Sequence, residues 1–419
     1  MRTRLLALAL VVTAASVTFS LIRGQAPAPA TPSDPAPAAE SAATPGRLAP
    51  ARDLSRLTKL QQQVLFSAQS GADWLFRMHG VKGRFLPGYI PALKQPLEGD
   101  SYQRQAAAAA ALARAAKLCG EERYAARATQ AVLALLEDTA ADAGDSLSRY
   151  TTLPPAVVNR LGAAGQLALA IYELPAPQKD LLDRAEELTR YLSRQANPDG
   201  TLRYGESKTP DDGVNHHPGV ALAALARSHR VRPAPWKAEA VRKAAPAYRA
   251  WWKAHRSPEF VPMQTAAFAE AYLATRDKAL ADFVFEMNDW VCSLQYTRID
   301  PRRMNWFGGF QAVADGGPVE AEPTAGCAGL AEGLCEASRV AREVGDVERH
   351  QRYAEAAERC LQFLSTLQYT EASTQHFASW YRERLVGGFH ASHQDGNLRL
   401  DHTQQAVSAK LAYLEHVAR

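Results

Sequence analysis

Cysteine is scarce in this chain and never closely paired. The five residues, Cys119, Cys292, Cys327, Cys335 and Cys360, contain no Cys-x-x-Cys. A zinc ribbon is excluded, and so is a disulfide framework, because an odd number leaves at least one thiol unpaired. Buried free thiols are the expectation. A dense basic block is also missing. With 48 Lys and Arg against 44 Asp and Glu, the net charge is only +4 over 419 residues. That gives no basis for binding nucleic acid. There is no Gly-x-x-x-x-Gly-Lys phosphate loop, no dinucleotide fingerprint, no Gly-x-Ser-x-Gly elbow and no His-Glu-x-x-His helix.

What is present begins with an export signal. Met1-Arg2-Thr3-Arg4 is basic, and Leu5 to Ile22 is a largely apolar run. Residues 1–22 therefore read as a signal peptide or a membrane anchor, since the run is long for the first and short for the second. Thr13-Ala14-Ala15 is the candidate cleavage site. No Cys follows, which argues against a lipoprotein. Residues 23–54 are dominated by Ala and Pro, and Pro cannot propagate a helix, so this segment reads as a semi-extended linker. The expected location is extracytoplasmic or periplasmic, with the membrane as a partner if the segment stays uncleaved.

Residues 55–419 carry twelve helical patterns: 61–79, 105–118, 122–137, 154–171, 179–195, 218–229, 236–255, 263–275, 278–295, 323–344, 347–368 and 402–417. Even-numbered segments are rich in Ala and Gly, as in Ala106 to Ala111 and Ala325-Gly326-Cys327-Ala328-Gly329. Odd-numbered ones carry charge on one face. Connections alternate. Gly120-Glu121 and Gly345-Asp346 are short, whereas 79–100, 196–217, 296–322 and 369–401 are long. This predicts an all-α fold, an (α/α)6 toroid of six helical hairpins. Small residues would line a crowded inner ring, and the long loops would gather on one face, where function belongs.

The long loops repeat. Outer segments end in Leu192-Ser193-Arg194-Gln195, Ser293-Leu294-Gln295 and Thr366-Leu367-Gln368. Asp199-Gly200-Thr201-Leu202, Gly308-Gly309-Phe310 and Gly387-Gly388-Phe389 follow, with Gly83-Arg84-Phe85 in the first pair. This pattern resembles the repeats of the terpenoid cyclase and protein prenyltransferase superfamily, over most of residues 60–419. The resemblance implies the toroid. Asp401-His402-Thr403 is similar to the helix start that supplies the prenyltransferase zinc ligand, which would make His402 a metal ligand. Where that family carries Asp-x-Cys, this chain reads Glu320-Ala321-Glu322-Pro323-Thr324, so the thiolate is missing. The cyclase Asp-x-Asp-Asp acid motif is incomplete too. The fold resemblance therefore reaches further than the activity.

In a toroid the inner-helix starts converge at one mouth. They supply Asp100, Tyr102, Gln103 and Arg104; Asn215, His216 and His217; Gln264; Glu320 and Glu322; and Asp401, His402 and Gln404. Glu322, Asp401, His402 and His216 are the candidate catalytic groups. Carboxylates and imidazoles around one pocket supply acid, base and charge stabilisation. Asp100, Tyr102, Arg104, Asn215, Glu320 and Gln404 are candidate substrate-binding groups, with Trp306 and Phe310 near the rim. Glu320 beside Glu322 would raise one carboxyl pKa. No cofactor is specified. Zinc held by His402 with His216 or His217 is the one metal candidate.

Blander roles compete. Asp100-x-x-Gln103 and Asp401-x-x-Gln404 resemble capping boxes, and Asn215 resembles an N-cap. The loop aromatics Phe85, Tyr89, Tyr204, Trp306, Phe307, Phe310, Trp380, Tyr381 and Phe389 read as packing onto the barrel or as a sugar-stacking platform. His79, His229, His255, His350 and His416 lie on or near helix ends and read as solvated or C-terminal cap residues. Three functions stay open: an enzyme acting on an extracytoplasmic glycan (hydrolase, lyase or epimerase), a terpenoid- or prenyl-processing enzyme, and a non-catalytic toroid that binds a glycan or peptide. The expected ligand is a small molecule or glycan.

Overall fold

The computed structural model describes residues 54–205 and 210–418. The expected signal and nearly all of the expected linker lie outside these residues. Among the described residues there are thirteen α-helices: α1 (Lys59–Met78), α2 (Tyr102–Cys119), α3 (Glu122–Leu136), α4 (Arg160–Glu173), α5 (Lys179–Arg194), α6 (Pro210–Val231), α7 (Pro235–Ala254), α8 (Val261–Thr275), α9 (Lys278–Ser293), α10 (Cys327–Val344), α11 (Val347–Thr366), α12 (Ser379–Leu385) and α13 (Leu400–His416). None is long and apolar enough to cross a membrane.

The helices close into the expected (α/α)6 toroid. α2, α4, α6, α8, α10 and α13 form an inner ring in which each packs on the next and α13 returns to α2. α3, α5, α7, α9 and α11 each back the inner helix that precedes them, and α1 backs α13. Composition explains the two rings. Outer helix α5 buries one stripe, Leu181, Ala185, Leu188, Thr189 and Leu192. Inner helix α2 is buried over most of its circumference, chiefly through alanines. Short side chains let inner backbones approach closely and leave the barrel axis hollow.

Three small sheets occupy the long connections. β1 (Gly88–Ile90) pairs with β2 (Gln95–Pro96) and with β7 (Leu398–Arg399), in the order β2-β1-β7. Gly88 lies opposite Arg399, which fixes the approach to α13. β3 (Thr139–Asp142) and β4 (Asp145–Thr151) form a hairpin, as do β5 (Ala312–Ala314) and β6 (Gly317–Val319). The pattern reading contains none of these strands: most have two to four residues, too few for a clear period of two, and the seven of β4 (Asp145–Thr151) are mostly polar.

The repeat has a physical cause. Four of the six outer helices, α1, α5, α9 and α11, are followed by a residue that bridges to the next aromatic or leucine: His79 to Phe85, Ala196 to Leu202, Gln295 to Phe310 and Gln368 to Phe389. Gln295 Nε2 donates to Gly308 O (3.0 Å) and to Ala356 O (2.8 Å) on α11. Gln368 Nε2 donates to Gly387 O and to Ser67 O on α1, both at 3.0 Å. The glutamines thus stitch one outer helix to the next. Gly308 and Gly387 have φ of 89° and 92°. A Cβ there would stand 2.2 Å from Arg359 O and 2.1 Å from Ser70 O, so only glycine fits.

None of the five cysteines forms a disulfide, as expected, and four are buried. The core also holds a lysine. Lys410 of α13 is fully buried, with Nζ donating to Ser365 Oγ (2.9 Å) and Leu361 O (3.3 Å). Burial pushes its pKa down to about 7. An unfolded lysine titrates near ~10.4, so between these values the unfolded chain holds a proton that the folded chain lacks, and stability rises with pH. Below pH 7 the lysine is charged in both states and the whole cost persists. Lys410→Met is therefore expected to raise stability by on the order of a few kcal/mol at pH 6, with the gain shrinking towards pH 10. Urea unfolding at several pH values checks this, and a pH-independent difference would contradict it.

Candidate functional site

The toroid axis holds a cavity of about 970 Å³ lined by all six inner helices. It has three zones: a polar mouth, a waist of small residues and a charged floor.

At the mouth, Asp401 stands in the first turn of α13, just after β7. Arg399 forks onto it, Nε to Oδ1 at 3.0 Å and Nη2 to Oδ2 at 2.8 Å. Arg104 of α2 adds a contact from Nε to Oδ2 at 3.0 Å. Burial alone would raise the Asp401 pKa, but Arg399, His402 and Arg104 outweigh it and hold it below the usual carboxylate range. Beside this clamp, Gln103 Nε2 lies 3.2 Å from His217 Nδ1. With the amide donating, the imidazole proton sits on Nε2. Burial, then the neighbouring His216, pushes the His217 pKa down to about 4, so the ring is neutral at pH 7. Opposite charge comes from Glu322 in the loop before α10. Ser392 Oγ donates to its Oε2 at 2.9 Å. Phe310 forms part of the wall.

The waist is made of Ala107 and Ala110 of α2, Val220 and Ala223 of α6, Ala266 of α8, and Gly329 and Gly333 of α10. Below it the inner helices present an alternating set of charges: Arg114 (α2), Glu173 (α4), Arg227 (α6), Glu270 (α8), Arg339 (α10) and Glu415 (α13). Every interface of the inner ring is bridged. Lys117 and Arg227 pair with Glu173, Arg227 and Arg230 with Glu270, and Arg339 with Glu270. His416 meets Glu336 at 3.2 Å, and Arg114 meets Glu415 at 3.1 Å and also Glu332. Burial alone would raise the Glu173 pKa, but Arg227, Lys117 and Arg114 hold it well below the ordinary range. Burial raises the pKa of Glu332, which Arg114 only partly offsets.

The cavity brings together Arg104, His216, Phe310, Glu322, Asp401 and Gln404 of the expected set. Asp100, Tyr102, Asn215, Glu320, Trp306 and His402 do not line it. Asp100 Oδ1 accepts from Ser101 N (2.7 Å) and Gln105 Nε2 (2.8 Å), which organises the start of α2. Tyr102 is buried on the outer side and donates to Leu135 O at 2.7 Å. Glu320 pairs with Arg303 on the surface, and Arg303 in turn covers the Trp306 ring. Asn215 is no N-cap, because α6 begins at Pro210 and Asn215 lies in its second turn. That segment has no apolar period because its residues at the cavity face open space rather than core. Asp401 is no cap either, since α13 has no side-chain cap and the carboxylate turns to the two arginines.

His402 is largely buried with Nδ1 unpartnered, and burial lowers its pKa. Among the described residues no group of three or more His, Cys, Asp or Glu is placed to hold a metal. The donor set does not fit the zinc site that the resemblance implies. The aromatic platform is mostly packing: Phe85, Tyr89, Phe310, Tyr381 and Phe389 are buried, and Trp380 is the exception at 62% exposed. His416 is no solvated end but part of the floor. Sequence reading missed His217 as the oriented imidazole, and missed the floor, whose Glu and Arg residues look like ordinary helix charges until the ring closes.

No protein-family model and no curated protein matches the sequence. Solved structures do match in fold. Unsaturated glucuronyl hydrolase from Bacillus sp. GL1 superposes with a TM-score of 0.59 at 16% identity, covering 85% of this chain and 97% of that one. The GH76A α-1,6-mannanase from Salegentibacter sp. HEL1_6 gives 0.59 at 11% identity, covering 84% and 99%. Cellobiose 2-epimerase from Bacillus thermoamylovorans B4167 gives 0.60 at 10% identity, covering 85% and 100%. The chain thus has the six-hairpin α/α toroid seen in these carbohydrate-active enzymes. Of what the repeats implied, these structures support the toroid alone.

Proposed function

We propose that this protein is a carbohydrate-active enzyme that works by acid–base chemistry in the axial cavity. The observation that carries the reading is the mouth: Glu322, the Asp401–Arg104–Arg399 clamp and neutral His217 converge on one pocket of ligand size. The groups differ in aptitude. Asp401 has both oxygens occupied by guanidinium groups and a lowered pKa, so it is a weak base and a fixed negative charge. It suits orienting hydroxyls and stabilising positive charge that develops on a sugar. Glu322 has one oxygen bound to Ser392, which leaves Oε1 for a ligand, and it is the proton donor or acceptor in this reading. His217 offers an Nε2–H donor at neutral pH. Hydrolysis, elimination and epimerisation of sugars all use such groups, and hydrolysis needs only the two carboxylates. The toroid's likeness to sugar hydrolases and an epimerase supports the class by fold analogy. An isoprenoid chain is a poor fit, because its apolar end would meet a charged floor.

The test is turnover of an oligosaccharide panel by the purified domain. Glu322→Gln is expected to lower turnover by about 100-fold or more. Its melting temperature should stay close to wild type, because the Ser392 contact survives in the amide. Unchanged turnover would remove Glu322 from the chemistry. Saturable binding without turnover would favour the non-catalytic toroid.

Export belongs to the same proposal and rests on Arg2, Arg4 and the apolar run to Ile22. A reporter fused after Pro50 should be active only outside the cytoplasm. Activity confined to the cytoplasm would refute this.

A further inference from the structure

We propose that the cavity is a blind pocket that reads the end of a glycan chain, so that the enzyme acts from a terminus and not within a chain. This inference rests on the sugar reading above and adds the form of substrate to it.

The first ground is the floor. A toroid of six inner helices has a hole along its axis, and here the far end of the hole is occupied by interlocked charge. Five of the six interfaces of the inner ring are bridged by ion pairs and the sixth, α10 to α13, by the His416–Glu336 contact; five cations (Arg114, Lys117, Arg227, Arg230, Arg339) face five carboxylates (Glu173, Glu270, Glu332, Glu336, Glu415), and His416 lies between Glu336 and Glu415. Arg114 is only 12% exposed and Glu270 only 6%. Threading a chain would separate these pairs and leave buried charge without a partner.

The second ground is the depth. On α2 the mouth residue Arg104 and the floor residue Arg114 are ten residues apart, which is about 15 Å along the helix. The proposed reactive groups, Glu322, Asp401 and His217, stand at the mouth, and the waist beneath them is kept open by Ala107, Ala110, Ala266 and Gly333. Space for sugar therefore exists below the reactive groups, and it ends at a wall. A chain end can enter and fill it while the rest of the glycan leaves through the mouth. The floor then sets how many units lie beyond the reacting bond.

The third ground is the chemistry of the lining. Gln404, Gln405 and Ser408 of α13 and Gln166 of α4 descend from the mouth among the small residues. These are uncharged hydrogen-bonding groups suited to hydroxyls, and the short apolar residues between them suit the faces of sugar rings.

The experiment compares linear and cyclic oligosaccharides of the same linkage and length, in a neutral hexose series and a hexuronate series, with the purified domain. Linear forms processed into a short product of one size from the first turnovers, with cyclic forms left intact, is the expected result. Cyclic forms processed as fast as linear ones, or fragments of random length, would overturn the blind pocket and leave the sugar reading standing. No binding and no turnover of any linear form would overturn the sugar reading and this inference with it. A second variant checks the depth. Ala266→Leu places a larger side chain in the waist one turn above Glu270, away from the proposed reactive groups. It should change product length, or weaken binding of the linear forms at least tenfold, with little change in melting temperature. Product length and affinity both unchanged would overturn the inference.

Discussion

Replacing Glu270 with alanine is expected to cost about 3–5 kcal/mol of folding stability. Glu270 is 6% exposed, and its Oε1 faces three guanidinium groups: Arg230 at 3.0 Å, Arg227 at 3.3 Å and Arg339 at 3.4 Å. Alanine removes the carboxylate that α8 sets between α6 and α10, so buried Arg227 and Arg339 each lose one of two partners and keep only Glu173 and Glu336. Glu239→Ala is the control. Glu239 and Arg242 are 56% and 53% exposed on α7, and such a pair contributes about 0–1 kcal/mol. Urea titration of both variants gives the comparison, with a lower midpoint and unchanged slope expected for Glu270→Ala. A loss under about 1 kcal/mol, within the range of an exposed pair, would mean that water solvates the arginines. The floor would then be wet and passable, which also bears on the blind pocket.

Asp401→Asn is expected to reduce turnover by about 100- to 1,000-fold, the usual loss when one group that stabilises developing charge is removed. The amide keeps the shape but removes the charge, and it sets an NH2 donor against Arg399 or Arg104. Two guanidiniums then share a site without a counter-ion. The pH profile separates this role from a structural one. Asp401 is needed ionised, and its pKa is held below the ordinary carboxylate range. The acid limb of activity that belongs to Asp401 should therefore lie below that range, with the group active above its pKa and lost as pH falls through it. Arg104→Gln removes part of the depression, so that limb should move to higher pH. A limb that stays in place in Arg104→Gln would show that Asp401 does not govern it, and Asp401→Asn with wild-type turnover would remove it from the chemistry.

The fold was legible because its causes are local. Apolar period, alanine-rich inner segments and alternating loop lengths are properties of consecutive residues, and they led to six hairpins. The Gln and Gly-aromatic repeat was legible for the same reason, although its purpose was not. Only the packed structure shows Gly308 against Arg359 and Gly387 against Ser70. Helix starts were misplaced where side chains face the hollow axis. His216 and His217 line the axial cavity, so they carry no apolar period, and α6 starts earlier than the pattern indicates.

The site was legible only in part. Converging helix starts identified Arg104, His216, Phe310, Glu322, Asp401 and Gln404. They could not say which way each side chain turns, because a helix start offers a residue to the axis, the outer ring or the surface, depending on rotation about the helix. Tyr102 therefore went outward to Leu135, Glu320 to Arg303, and His217 inward to Gln103. The floor lay wholly beyond reach. Arg114, Glu173, Arg227, Glu270, Arg339 and Glu415 are far apart in sequence and ordinary where they stand. They become one charged seal only when α13 closes on α2, because ring closure alone brings six helix ends to a common axis. The sequence by itself determined a toroid of six hairpins, and the tertiary structure decided which residues face its cavity and that paired charges line the cavity's far end.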